Sequence, residues 1–211
     1  MLQLNRSFMR LLFALLLCLA LPVTYAEEAD VNDPQGSVQA ATDRMLQALK
    51  DNEQALEQDP SVIYGLVQEI LMPDFDFNKM AKLALGKNWR KADDEQRVRF
   101  VEEFRLLIVR TYSTAMLEYT DEEIKFLPFR GDVAKKKVKV KMEIIQSAGP
   151  SIPMALSLYL NKENAWKVYD VKIDGISLVT NYRSSFATKI RNGGMDKLIE
   201  DLARRNEKVK A

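Results

Sequence analysis

The heptapeptide VKVKMEI, residues 138–144, alternates strictly: Val138, Val140, Met142 and Ile144 fall on one face of an extended chain, Lys139, Lys141 and Glu143 on the other. Successive side chains of a strand point to opposite faces, so this pattern predicts a strand with one dry and one wet surface. The stretch IPMALSLYL (152–160) repeats the arrangement, with Ile152, Met154, Leu156, Leu158 and Leu160 in phase. NKEN (161–164) then reads as a hairpin turn into AWKVYDVKI (165–173), and a weaker strand is expected over 124–129. Pattern therefore gives a meander of about four antiparallel strands, the arrangement in which one face can remain solvated.

Upstream of the strands the periodicity changes. Asp33 before Pro34 and Asp59 before Pro60 have the form of a capping residue followed by proline at the first helical position. Behind them run helical stripes, first Val38, Ala41, Met45, Leu49 and Leu56, then Val62, Ile63, Leu66, Val67 and Ile70. A short helix over 77–85 should stop at Gly86. Asp93 with Gln96 forms a capping-box pattern that opens the longest helix, expected over 94–119. Its stripe comprises Phe100, Val101, Phe104, Leu107, Ile108, Thr111, Tyr112, Ala115, Met116 and Tyr119, so the helix must lie along a large apolar surface. Two further helices, over 178–191 and 195–207, are separated by Gly193 and Gly194. Helices, then strands, then helices imply an α+β fold, a single domain with its helices packed on one side of the sheet.

The amino terminus does not belong to that domain. Residues 1–26 carry Arg6 and Arg10, an apolar run from Leu11 to Leu21, and small residues Thr24 and Ala26 before Glu27. The apolar run is about half of the roughly 20 residues that a membrane span requires, so a cleaved secretory signal peptide is expected, leaving 27–211 as the exported domain. Cys18 lies inside the leucine run behind Leu17, where a lipoprotein anchor requires a small residue. It is the only cysteine, so the exported part of about 185 residues must be stabilised by packing rather than by cross-links. Loss of Arg6 and Arg10 with the leader turns one net positive charge into one net negative, which argues against nucleic acid as a partner.

The chain has no histidine. This excludes serine–histidine and cysteine–histidine nucleophile activation, histidine metal sites and an imidazole base. Carboxylates remain as candidates. Asp170 and Asp174 are four residues apart on one strand, about 13 Å at roughly 3.3 Å per residue, whereas paired glycosidase carboxylates sit about 5–9.5 Å apart. Ser177 follows Gly175 and Ile176 without the second glycine of a nucleophile elbow, so a serine capping the next helix is the simpler reading. Asp74 and Asp76 fit a turn and helix start better than a cation site. The run KKKVKVK (135–141) suits the wet face of a strand, and could also meet an anionic surface. Methionines and tyrosines on apolar faces suit either a core or a deformable cavity lining. A hydrolase using Asp170 or Asp174 with a tyrosine, and a ligand-free envelope protein-interaction factor, both remain open at this level.

Two segments carry a family resemblance: LMPDFDFNKMAKLALGKNWRKADDEQRVRFVEEFRLLIVRTYSTAM (71–116) and AWKVYDVKIDGISLVTNYRSSFATKIRNGGMDKLIEDL (165–202). Leu85, Gly86, Trp89, Thr111, Tyr112, Trp166, Asp170, Gly175, Ser177, Tyr182, Arg183 and Phe186 make it specific. The chain resembles the MlaC family, the periplasmic phospholipid-binding components of the Mla system, also known as the toluene-tolerance auxiliary family. The resemblance implies a twisted sheet and helices enclosing an apolar pouch, no catalysis, and no cofactor beyond bound phospholipid as cargo. It also implies a monomeric shuttle in the periplasm, exchanging lipid with an inner-membrane Mla ABC transporter complex and an outer-membrane lipoprotein–porin complex. Leu85, Ile108, Tyr112, Met116, Val140, Met142, Met154, Leu156, Leu158 and Ile176 are the expected pouch lining, with Ile176 pointing inward after Gly175 turns the chain out of the sheet.

Overall fold

A computed structural model describes residues 33–117 and 122–208. The expected signal peptide and Tyr119 lie outside the described residues. The architecture is α+β, a five-stranded antiparallel sheet with helices before and after it in the chain.

The helices begin and end where local chemistry dictates. Helix α1 (Pro34–Asp51) has Asp33 as its cap, accepting from the Gly36 amide at 2.7 Å, with proline at the first position, where no donor is needed. α2 (Glu53–Gln58) follows at once. Asp59 and Pro60 form a turn in which the Ser61 amide bonds the Asp59 carboxylate at 2.9 Å, so α3 (Val62–Ile70) starts two residues later than the proline suggested. α4 (Phe77–Leu85) is capped by Asp76 and halts at Gly86, whose φ of 55° takes it out of helical space. α5 (Asp94–Leu117) opens with the reciprocal box: the Gln96 amide bonds Asp93 Oδ1 at 2.8 Å and the Asp93 amide bonds Gln96 Oε1 at 3.2 Å.

The strands are β1 (Glu123–Phe126), β2 (Lys137–Ile145), β3 (Ile152–Leu160), β4 (Trp166–Ile173) and β5 (Ile176–Ser177), hydrogen-bonded in that order. On β2 burial alternates as the sequence requires, with Val138, Val140 and Met142 buried and Lys137, Lys139 and Lys141 exposed. At the β3–β4 turn Asn161 Oδ1 accepts from the amides of Glu163 and Ala165 at 3.0 and 2.8 Å. A fifth strand exists because Asp174 and Gly175, at φ 48° and 77°, form a two-residue hairpin that pairs Ile176 with Ile173. α6 (Leu178–Lys208) holds both expected terminal helices, broken at Gly194, where φ is 83° and ψ 179°.

Three apolar clusters hold the layers together. One joins α4, α5 and α6 around Phe100, Phe104 and Phe186, the Phe186 ring meeting the other two edge to face at 5.5 and 5.7 Å. A second joins the inner face of the sheet to Val38 of α1 and Leu178 of α6. The third ties α1, α2, α3 and α5 through Met45, Leu49, Leu56, Ile63, Val67 and Val109.

Candidate functional site

The polar residues of the 165–186 stretch hold one corner together. Ser177 Oγ donates to Asp170 Oδ1 at 2.9 Å and accepts from the Thr180 amide at 3.1 Å, capping α6. The Val179 amide also donates to Asp170 Oδ1, at 3.3 Å, so this carboxylate gathers two donors at the start of the helix. Asp174 stands exposed at the hairpin tip. The two aspartates therefore serve different parts of one strand–turn–helix corner and face no common substrate position. Arg183, one helical turn and a half further on, donates from Nε to the Leu83 carbonyl at 2.8 Å and so ties the end of α4 to α6.

Asp76 has a similar role at the other end of α4. Its Oδ1 accepts from the Lys79 amide at 2.8 Å, and Tyr159 donates a short hydrogen bond to its Oδ2. That bond, followed by burial, pushes the Tyr159 hydroxyl up to about 12. Lys79 Nζ lies 3.4 Å above the Tyr159 ring centre. Asp74 pairs with Arg44 at 3.7 Å, and its burial raises its pKa against the pull of Lys167 and Arg44.

The expected apolar lining separates into distinct groups. Val140, Met142, Met154, Leu156 and Leu158 meet on the inner face of the sheet, with Tyr112 packed against them from α5. Cross-strand register explains this: Val140 pairs with Leu156, Val138 with Leu158 and Met142 with Met154, side by side on one face. Leu85 and Ile108 belong to the helical cluster, which Tyr112 also touches, so Tyr112 is the seam between the two. Burial pushes its hydroxyl up to about 12, and the neighbouring Tyr182 adds to the shift. Met116 packs with α1–α3 instead of facing the strands, because its position on α5 lies a turn beyond Tyr112. Ile176 is 59 % exposed, contrary to its expected inward orientation: the hairpin at Asp174 and Gly175 holds it on a two-residue edge strand. Phe75, which touches both the sheet and the helical cluster, escaped sequence reasoning because the turn that carries it has no periodicity.

Fold and site together define an α+β protein whose polar residues fix corners and helix ends, and whose continuous internal feature is an apolar surface shared by sheet and helices. The chain belongs to the MlaC family: the family model described as MlaC protein matches residues 39–204. It is 31 % identical to the toluene tolerance protein ttg2D of Pseudomonas putida over 180 residues, covering 84 % of this chain and 83 % of that one. It is 26 % identical over 204 residues to the intermembrane phospholipid transport system binding protein MlaC of Haemophilus influenzae, covering 94 % and 92 %. Among solved structures, the phospholipid-binding protein of Ralstonia solanacearum in complex with a phospholipid superposes with a TM-score of 0.76 at 27 % identity. That match covers 84 % of this chain and 98 % of that one.

Proposed function

We propose that this protein is a non-enzymatic periplasmic carrier that holds phospholipid acyl chains between the inner face of its sheet and α5. On this reading it moves lipid between the outer and inner membranes and so maintains outer-membrane lipid asymmetry. Its docking partners are an inner-membrane Mla ABC transporter complex and an outer-membrane lipoprotein–porin complex. The observation that carries the reading is the convergence of Val140, Met142, Met154, Leu156 and Leu158 with Tyr112, in a fold shared with a protein solved in complex with a phospholipid. No helix among the described residues is long and apolar enough to cross a membrane, which suits a shuttle.

The energetics explain why a carrier and docking partners belong together. Two acyl chains hold on the order of 30 methylenes, and at about 0.8 kcal/mol each their exposure to water costs roughly 24 kcal/mol. Release into water is negligible, whereas passage from one apolar surface to another is nearly neutral in this term. Direction must then be set by the partners. In the described conformation the lining is packed, with Val140 fully buried and Leu158 only 2 % exposed, so acyl chains enter by parting the sheet from Tyr112.

A transfer assay tests the proposal. Donor vesicles containing a self-quenched fluorescent phospholipid are mixed with the protein, which is then separated from them by size. Label migrating with the protein supports a carrier, and label confined to vesicles at every protein concentration rejects it.

A further inference from the structure

The lysines of β2 are not absorbed by the carrier reading. A groove of about 590 Å³ lies between the 127–131 segment and β2, lined by the exposed lysines of that strand and reaching Val138 between them. Lys137, Lys139 and Lys141 line it together with Arg130, and all four side chains are exposed. Among the described residues none of the four has a carboxylate within ion-pair distance, although seven such pairs form elsewhere. Lys139 and Lys141 pair across the ladder with Ser157 and Ala155, whose short side chains keep the sheet surface low beside the lysines. Leu127, Pro128 and Val138 supply an apolar lining, and Tyr169 of β4, whose ring also meets that of Tyr159 at 6.0 Å, lines it as well. The chain as a whole carries one net positive charge, so this concentration of cations is a local imbalance.

We propose that this groove docks an extended, acidic segment of a partner protein. The spacing selects that occupant. Lysines two residues apart on a strand repeat at about 6.6 Å, the interval at which an extended segment presents every second side chain. A segment alternating carboxylates with apolar residues places its charges against the lysine row and its apolar groups toward Tyr169. A bilayer surface, being flat, meets the lysine tips but leaves the concave apolar lining unfilled. The attraction of unpaired surface charges accelerates encounter and depends on salt. The proposal does not require that the inner face hold lipid.

The test uses a fluorescein-labelled peptide of alternating glutamate and valine, followed by anisotropy and by amide shifts in nuclear magnetic resonance spectra. The expected result is salt-dependent binding with shifts concentrated at residues 127–131 and 137–141. Joint Lys139→Glu and Lys141→Glu substitution weakens it by about tenfold or more, as reversal of two rim charges requires. Lys139→Gln with Lys141→Gln gives a smaller loss. Lys189→Glu, on α6, leaves binding unchanged. Lipid content, measured on the same preparations, stays constant across the variants, which keeps this test separate from that of the carrier reading. Equal weakening by Lys189→Glu, preferential binding to phosphatidylglycerol vesicles, or displacement of the peptide by millimolar inorganic phosphate would overturn the proposal.

Discussion

Replacing Asp170 with alanine separates an architectural aspartate from a catalytic one. Its Oδ1 accepts from Ser177 Oγ at 2.9 Å and from the Val179 amide at 3.3 Å, and both donors belong to residues that are nearly inaccessible, at 6 % and 2 % exposure. A buried donor stripped of its partner costs roughly 1–3 kcal/mol, and two donors within one corner should together cost roughly 2–4 kcal/mol. That is a large share of a total stability of about 5–15 kcal/mol. With a urea slope of about 2 kcal/mol per molar, the unfolding midpoint should fall by roughly 1–2 M. Asp170→Asn keeps an acceptor oxygen in place and should cost only about 1 kcal/mol, the loss of charge assistance. The assay is urea unfolding followed by circular dichroism. A midpoint for Asp170→Ala within error of the unmodified protein would refute the corner assignment. A hydrolytic turnover that Asp170→Asn abolishes at unchanged stability would return the aspartate to an active site.

Three further expectations concern the lining and the corners. Met154→Asp places a charge on the half-buried inner face and should strip lipid from the purified protein, whereas Ile176→Asp, on the exposed edge strand, should leave lipid content unchanged; organic extraction and phosphate assay compare the two. Gly86→Ala forces a side chain into φ 55°, ψ −122°, at about 1–3 kcal/mol, read as a lowered melting temperature; the nearest Arg183 atoms, at 3.6 and 3.7 Å, leave room for the methyl, so backbone conformation is the cause. Tyr159 has its hydroxyl raised from 10 to about 12 by Asp76, so its contribution to stability is complete below pH 10 and is lost as pH rises through about 12. Tyr159→Phe should flatten the decline of the unfolding midpoint across that alkaline window, and an unaltered slope would contradict the Asp76 bond.

Much of this architecture was legible because the informative signals are local. VKVKMEI fixes which side of β2 is dry, and Asp93 with Gln96 fixes the start of α5, through contacts within a few residues. The family-bearing positions Ser177, Arg183 and Gly86 likewise explain themselves once adjacent elements are seen together: a cap, a tie to a helix end, and a stop. What was not legible depends on how elements cross. Periodicity puts Ile108, Tyr112 and Met116 on one face of α5, yet α5 passes three neighbours, so those residues end in different clusters. Asp174 and Gly175 held a hairpin signal between Ile173 and Ile176, and reading it as such would have placed Ile176 on an edge strand. The trough beside β2 needs the 127–131 segment folded next to the lysines, a proximity no spacing rule supplies.

Native mass spectrometry of the purified protein, followed by organic extraction and lipid analysis, tests the carrier account most directly. The account predicts a mass increment matching phospholipid at fixed stoichiometry, lost in Met154→Asp. A bare protein that also takes up no lipid from vesicles would contradict it and return the inner face of the sheet to ordinary core.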